Sequence, residues 1–245
     1  IDSSAIVGIM SEVGQKKVQT FSVVFEEEEF SEAKYARMIA KKFGTDHNEI
    51  KLSPEHFLDS IPNALSAMDH PSGDGPNTYM VSKATKDAGI TMALSGLGGD
   101  ELFAGYDIFK RSVELIDKKW LLSFPPFSRK LGGALLKKMK PGPGSDKIAE
   151  TLKLGRFDVC ETYPISRQVM MDPVVSKLLK GRLLPPNKVG EIAQDLTGYE
   201  SEGYRFPSLS HVSFNEINTY MQNVLLRDTD QMSMASALEV RVPFL

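Results

Sequence analysis

Apolar residues recur at two periods along the first hundred positions, and the switches between them outline alternating helices and strands. Ile6, Val7, Ile9 and Met10 follow at helical spacing behind Ser3 and Ser4, which are good N-cap types, and Gly14 closes the run. Residues 18–25 (VQTFSVVF) are β-branched and aromatic, which predicts a buried strand. A second helix opens at Ser31, turns Ala33, Ala36, Ile39, Ala40 and Phe43 inward, and ends at Gly44. Residues 47–52 read as a short strand. Ser53-Pro54-Glu55 combines a cap, a proline in the first turn and an acid at the positive end of the helix dipole. The helix it starts is expected to bury Phe57, Leu58, Ile61 and Leu65, with a bend at Pro62. Turn chemistry fills residues 69–77 (DHPSGDGPN), and a helix follows over residues 78–88. Residues 90–95 (ITMALS) form another predicted buried strand, which runs straight into Gly96-Leu97-Gly98-Gly99-Asp100-Glu101.

Strands alternating with helices imply an α/β fold with a parallel sheet covered on both faces. Ligands in such sheets gather beyond the carboxyl ends of the strands, which puts the loops after Phe25 and Ser95 on one rim. The first element is a helix with no strand ahead of it, so the chain is expected to start inside a βα unit. After Tyr106 the strand signals fade. Helical patches (residues 111–120, 127–138, the region around 174–179, and 214–237) alternate with breaks at Pro125-Pro126, residues 140–146 and Pro185-Pro186. The expected division is an α/β core over residues 1–106 and a mostly helical region over 107–245 that packs on it.

Composition narrows the function classes. The 32 acidic and 29 basic residues of the 245-residue chain nearly cancel, so there is no surplus of positive charge to attract nucleic acid. Cys160 is the only cysteine, which excludes an internal disulfide and asks for no oxidising compartment. The apolar stretches are too short to span a bilayer and no leader opens the chain; a cytoplasmic location without a membrane partner is the expectation. His47, His56, His70 and His211 lack the paired spacing of a zinc site. The acidic run Glu26–Glu29 reads as a solvated loop rather than a metal site.

The strongest local signal is the loop from Ser95 to Glu101. Its glycines let backbone N–H groups approach a ligand, and the helix that follows adds positive partial charge suited to phosphate. A Walker loop would end in Lys-Ser/Thr; here Asp100 and Glu101 stand instead. Carboxylates beside phosphate repel it unless Mg²⁺ lies between them. A tight turn with Asp100 as a helix cap is the competing reading. Asp2-Ser3-Ser4 alone is a helix cap; with the strand ahead of it missing, it could also be the tail of a phosphate-binding loop.

Residues 95–106 (SGLGGDELFAGY) closely resemble the signature loop of the asparagine synthetase family, as does the preceding ITMAL strand. Residues 1–4 (IDSS) look like the end of the family's pyrophosphatase loop, and FSVVF with the following SEAKYARMIAKKFGTDHNEI is similar to its second strand and helix. Met232-Ser-Met-Ala235 and Leu238–Leu245 resemble a further family stretch, so the resemblance spans nearly the whole chain. It implies an ATP-pyrophosphatase α/β core, of the adenine nucleotide alpha hydrolase kind. It also implies a glutamine-dependent ligase: aspartate is adenylated by ATP to β-aspartyl-AMP with release of pyrophosphate, and ammonia from an N-terminal glutaminase domain then completes the amide. By the same resemblance Ile1 and Val23 contact adenine, while Ser3, Ser95, Gly96, Gly98 and Gly99 line the nucleotide. Asp2 and Asp100 hold Mg²⁺-pyrophosphate, and Tyr106 stands with Asp100 at the reacting centre.

Leu97 stands where better-known members carry an acid, so the resemblance speaks more firmly for ATP use than for aspartate. A ligase adenylating another carboxylate, as β-lactam synthetase-like relatives do, and a nucleotide-binding module without turnover stay open, as does a homodimer. The glutaminase cysteine and the family's lysine beyond the RVPFL stretch fall outside the sequence, so the piece is expected to be cut at both ends and inactive alone. Asp74, Asn77, Arg227, Asp228 and Asp230 read as turn formers and a charged helix face, with substrate contact the less favoured alternative. Gly-x-Gly-x-x-Gly after a strand is missing, which argues against a dinucleotide-binding dehydrogenase.

Overall fold

The computed structural model describes residues 1–25, 32–200 and 205–245, and they divide into two compact units. Residues 1–100 and 220–245 form the first, residues 101–219 the second. The sequence reading leaves residues 220–245 with the helical part. In the structure they join the first unit, because the strand near the end of the chain pairs with the strand before the glycine loop. The acidic run Glu26–Glu29 and the helix start at Ser31 lie outside the described residues.

In the first unit α1 (Asp2–Val13) leads to β1 (Gln19–Phe25), α2 (Ala33–Phe43), β2 (Asp46–Leu52), α3 (Pro54–Ser66), α4 (Gly75–Asp87) and β3 (Met92–Leu94). β1 and β2 run parallel in register from Gln19↔Asp46 to Phe25↔Leu52. Gly44 ends α2 in the left-handed region at φ 63°, as its C′ position requires. Ser53 caps α3 by accepting the His56 N–H at 3.3 Å. Three local expectations change. α1 starts at Asp2 with Ile1 as its N-cap, so Ser3 and Ser4 are helical rather than capping. On α3 Leu58 and Leu65 are exposed and Ala64 is the buried residue; the inward face runs Phe57–Ile61–Ala64, one turn-step away from the predicted stripe. β3 is only three residues long with Met92 and Leu94 substantially exposed, so it is not a buried strand.

In the second unit α5 (Gly99–Phe103), which begins in the first, leads to α6 (Asp107–Asp117), a 3₁₀ segment (Lys118–Ser123), α7 (Pro126–Met139), α8 (Pro143–Thr151) and α9 (Val159–Arg167). α10 (Asp172–Leu178), α11 (Lys188–Asp195) and α12 (Ser208–Glu216) follow. α8 begins inside the predicted break at residues 140–146, since Pro143 fits the first turn of a helix as well as it fits a loop. Ile108, Phe109, Val159, Tyr163 and Val212 form the core. Beside it Glu216, fully buried, accepts the Arg167 Nε–H at 2.8 Å and a second bond from the same guanidinium. Arg167→Ala leaves that carboxylate buried without its counter-charge. The expected loss is about 3 kcal/mol or more of unfolding free energy in urea titrations.

A π-helical stretch (Ile217–Leu225) carries the chain back to the first unit. There α13 (Leu226–Ala235) packs on α4, and β4 (Glu239–Arg241) pairs parallel with β3 from Met92↔Glu239 to Leu94↔Arg241. The described residues thus hold two parallel strand pairs, β1–β2 and β3–β4.

Candidate functional site

The β3–β4 pair sets up the glycine loop. The Ser95 N–H donates to the Arg241 carbonyl at 2.9 Å, which extends the pairing by one rung. Beyond it the Ser95 hydroxyl accepts the Leu97 N–H at 3.3 Å. Gly98 then takes φ 92°, a backbone region that side chains resist, and turns the chain into α5.

Against this turn lies the start of α1, and glycine is what permits the approach. A Cβ added to Gly96 would sit 2.6 Å from the Ser3 hydroxyl and 2.7 Å from its backbone nitrogen. One added to Gly99 would overlap the Asp2 carboxyl carbon. The Asp2 carboxyl also reaches Asp100 closely enough to hydrogen-bond it. Burial first, then the charge and proximity of Asp2, raise the Asp100 carboxyl above its ordinary value. Two segments far apart in sequence therefore place two acids, a hydroxyl and a glycine-rich backbone at one spot.

Asp2, Ser3, Gly96, Gly99 and Asp100 converge as a group, with Ser95 and Gly98 shaping the same loop. Ile1 adjoins them in sequence and is wholly exposed. Val23 stays on β1 in register with Ile50, and Tyr106 belongs to the second unit, packed against its core. Glu101 is buried in the second unit, and the acid facing Asp100 is Asp2. Successive side chains on α5 point about 100° apart, so Asp100 and Glu101 cannot share one ligand face easily.

Asp228 also departs from the sequence reading. It is buried rather than part of a charged face, accepts the Ser72 hydroxyl proton, and lies 3.8 Å from His70 Nε2. Ser72 accepts the Asp74 N–H at 3.3 Å, so Asp228 ties the 69–74 turn to α13. Gly75, Pro76 and Asn77, assigned to that turn, are the first residues of α4. Met221, Leu225, Asp228 and Met232 are all buried at steps of four, three and four residues, so helical period alone could have placed Asp228 inward.

Residues 1–245 match the asparagine synthase family from one end to the other, and the chain belongs to that family. It is 31% identical over its whole length to asparagine synthetase [glutamine-hydrolyzing] 1 of Bacillus subtilis and covers 37% of that protein. A putative asparagine synthetase [glutamine-hydrolyzing] of Mycobacterium bovis is 27% identical over the whole chain, which covers 36% of it. The amidase chyE of Penicillium rubens is 25% identical over the whole chain, which covers 40% of it. The chain thus spans little more than a third of the length of these relatives. No solved structure is matched.

Proposed function

We propose that the chain is the ATP-handling part of a ligase that activates a carboxylate as an acyl-adenylate and converts it to an amide. The observation that carries this reading is the meeting of Asp2 and Ser3 with Gly96, Gly99 and Asp100. Family membership and the asparagine synthetase names among its relatives favour aspartate as the acid and ammonia, from a separate glutaminase domain, as the amine. An ATP-pyrophosphatase type of core is part of the same proposal.

The residues fit magnesium. Two carboxylates held together, one of them with a raised proton affinity, are an arrangement that a divalent cation relieves. Among the described residues no cluster of three His, Cys, Asp or Glu forms a closed metal cage. One or two carboxylates, with phosphate oxygens and water completing the shell, is the usual way to hold Mg²⁺. When bound, the ion supplies positive charge to the departing pyrophosphate. The chain's own groups do the rest. Ser3 and the loop N–H groups of Gly96 and Gly98 hold phosphate oxygens, the N-terminus of α1 adds its partial positive charge, and Ile1 with Val23 offers apolar surface to the adenine. A carboxylate oxygen attacks the α-phosphorus and pyrophosphate leaves; ammonia then attacks the acyl carbon and AMP leaves. Tyr106 is proposed to border the reacting groups.

The test is ATP–pyrophosphate exchange by the full-length protein without ammonia. Aspartate-dependent exchange is expected. Exchange with a different carboxylate and none with aspartate would move the assignment to another acyl substrate, a possibility Leu97 keeps in view. ATP binding without exchange for any acid would reduce the chain to a nucleotide-binding module.

A further inference from the structure

The second unit carries a face that nucleotide chemistry does not use. From Lys118 to Ser145 the chain holds six lysines and Arg129 but no acid, although the whole chain is net −3. This stretch contains the 3₁₀ segment and α7, and one row of its apolar residues points outward. Phe127, Leu131, Leu135 and Met139 follow one another four residues apart, each more than half exposed, with Phe127 and Met139 at 76%. Trp120 and Phe124 extend the ridge and stack edge to face at 6.0 Å.

The opposite side of α7 is fixed. Gly133 lies against Ala149 of α8, with a Cβ there only 3.1 Å from the Ala149 Cα. The buried Arg129 guanidinium donates to the carbonyls of Phe124, Leu152 and Leu154. Lys137 is paired with Asp146 and Glu150. α7 therefore cannot roll its apolar ridge inward. Lys118, Lys119, Lys130, Lys138 and Lys140 are exposed and form no ion pair among the described residues, with Glu114 and Asp117 the nearest acids before the stretch. The ridge is aromatic at one end and is accompanied by lysines that have no ion pair among the described residues.

We infer that this face seats the protein on an anionic membrane surface, with α7 lying in the plane of the interface. Charge decides the partner. Long lysine stems let the ammonium groups stay at the phosphate level while Trp120, Phe124, Phe127 and Leu131 enter the acyl boundary, about 5–10 Å deep in helices of this kind. None of the described helices is long and apolar enough to cross a bilayer, and a surface seat requires no such length. The expectation of no membrane partner rested on the length of apolar runs; exposure and charge carry the opposite reading.

The experiment is co-sedimentation of the full-length protein with vesicles of phosphatidylcholine alone and of phosphatidylcholine with 30% phosphatidylglycerol. Binding to the anionic vesicles only, weakened by salt, is expected. Lys130→Gln with Lys138→Gln should lower the partition coefficient about fivefold per lysine. Phe127→Ser with Leu131→Ser should lower it by about tenfold or more, with helicity by circular dichroism unchanged because both side chains are exposed. Equal binding to both vesicles, or to neither, overturns the inference. So does a self-association, seen by sedimentation velocity, that the Phe127→Ser/Leu131→Ser variant abolishes while lipid binding is absent; that result would assign the face to a second copy.

Discussion

Asp100→Asn raises the melting temperature of the ligand-free protein at pH 7 while cutting magnesium-dependent pyrophosphate release by about a hundredfold or more. The opposite signs come from one feature. Burial and the neighbouring Asp2 carboxylate raise the proton affinity of Asp100 in the folded state. A carboxyl raised in this way contributes its stability below its unfolded pKa, about 3.9, and loses it as pH climbs through the higher folded value. At pH 7 the ionised group therefore works against folding, and the neutral amide removes that penalty. Each kcal/mol recovered is worth about 2–4 °C in a protein of this size. The advantage over the wild type should shrink as the pH falls and Asp100 itself takes up its proton. A melting series from pH 4 to 8, with pyrophosphate release measured alongside, checks both halves. A lower melting temperature throughout would mean that Asp100 is a helix cap and not half of a repelling pair.

Gly96→Ala loses about 2–3 kcal/mol of stability in urea titrations, and pyrophosphate release with it. The added methyl would meet the Ser3 backbone nitrogen at 2.7 Å, and backbone at a helix start cannot swing aside. Gly99→Ala tests the site more than the fold. Its methyl would meet the Asp2 carboxyl, a side chain that can rotate away but only by leaving its place beside Asp100. Gly132→Ala is the control: it lies in α7 with nothing within 4 Å of the added atom, so it should be neutral or stabilising by up to about 1 kcal/mol.

The local chemistry of the first hundred residues was largely legible. Gly44, Ser53 and Pro54 end or start helices where their backbone preferences require. The glycine loop was visible as a sharp turn between a strand and a helix, although spacing alone fits a capped turn as well as a phosphate site. The corrections come from tertiary choices. Periodicity selects a face but not its rotation, so Leu58 and Leu65 were placed one step off the stripe that Ala64 defines. Pro143 serves a loop or a helix start equally until Gly133 offers α8 a close surface. The meeting of Asp2 with Asp100 joins positions almost a hundred residues apart, beyond the reach of any spacing rule, so it was legible only through the family resemblance; local spacing alone set Asp100 beside Glu101, which the fold buries. Asp228 was hidden by its charge, although its spacing from Leu225 and Met232 marked it as inward.

Calorimetric titration of ATP into the full-length protein, with and without magnesium, most directly probes the meeting of α1 with the glycine loop. Affinity should depend on magnesium and fall at least about tenfold when either Asp2 or Asp100 becomes asparagine. Unchanged, magnesium-independent binding in the double variant Asp2→Asn/Asp100→Asn would show that the nucleotide sits elsewhere and that these acids serve only the fold.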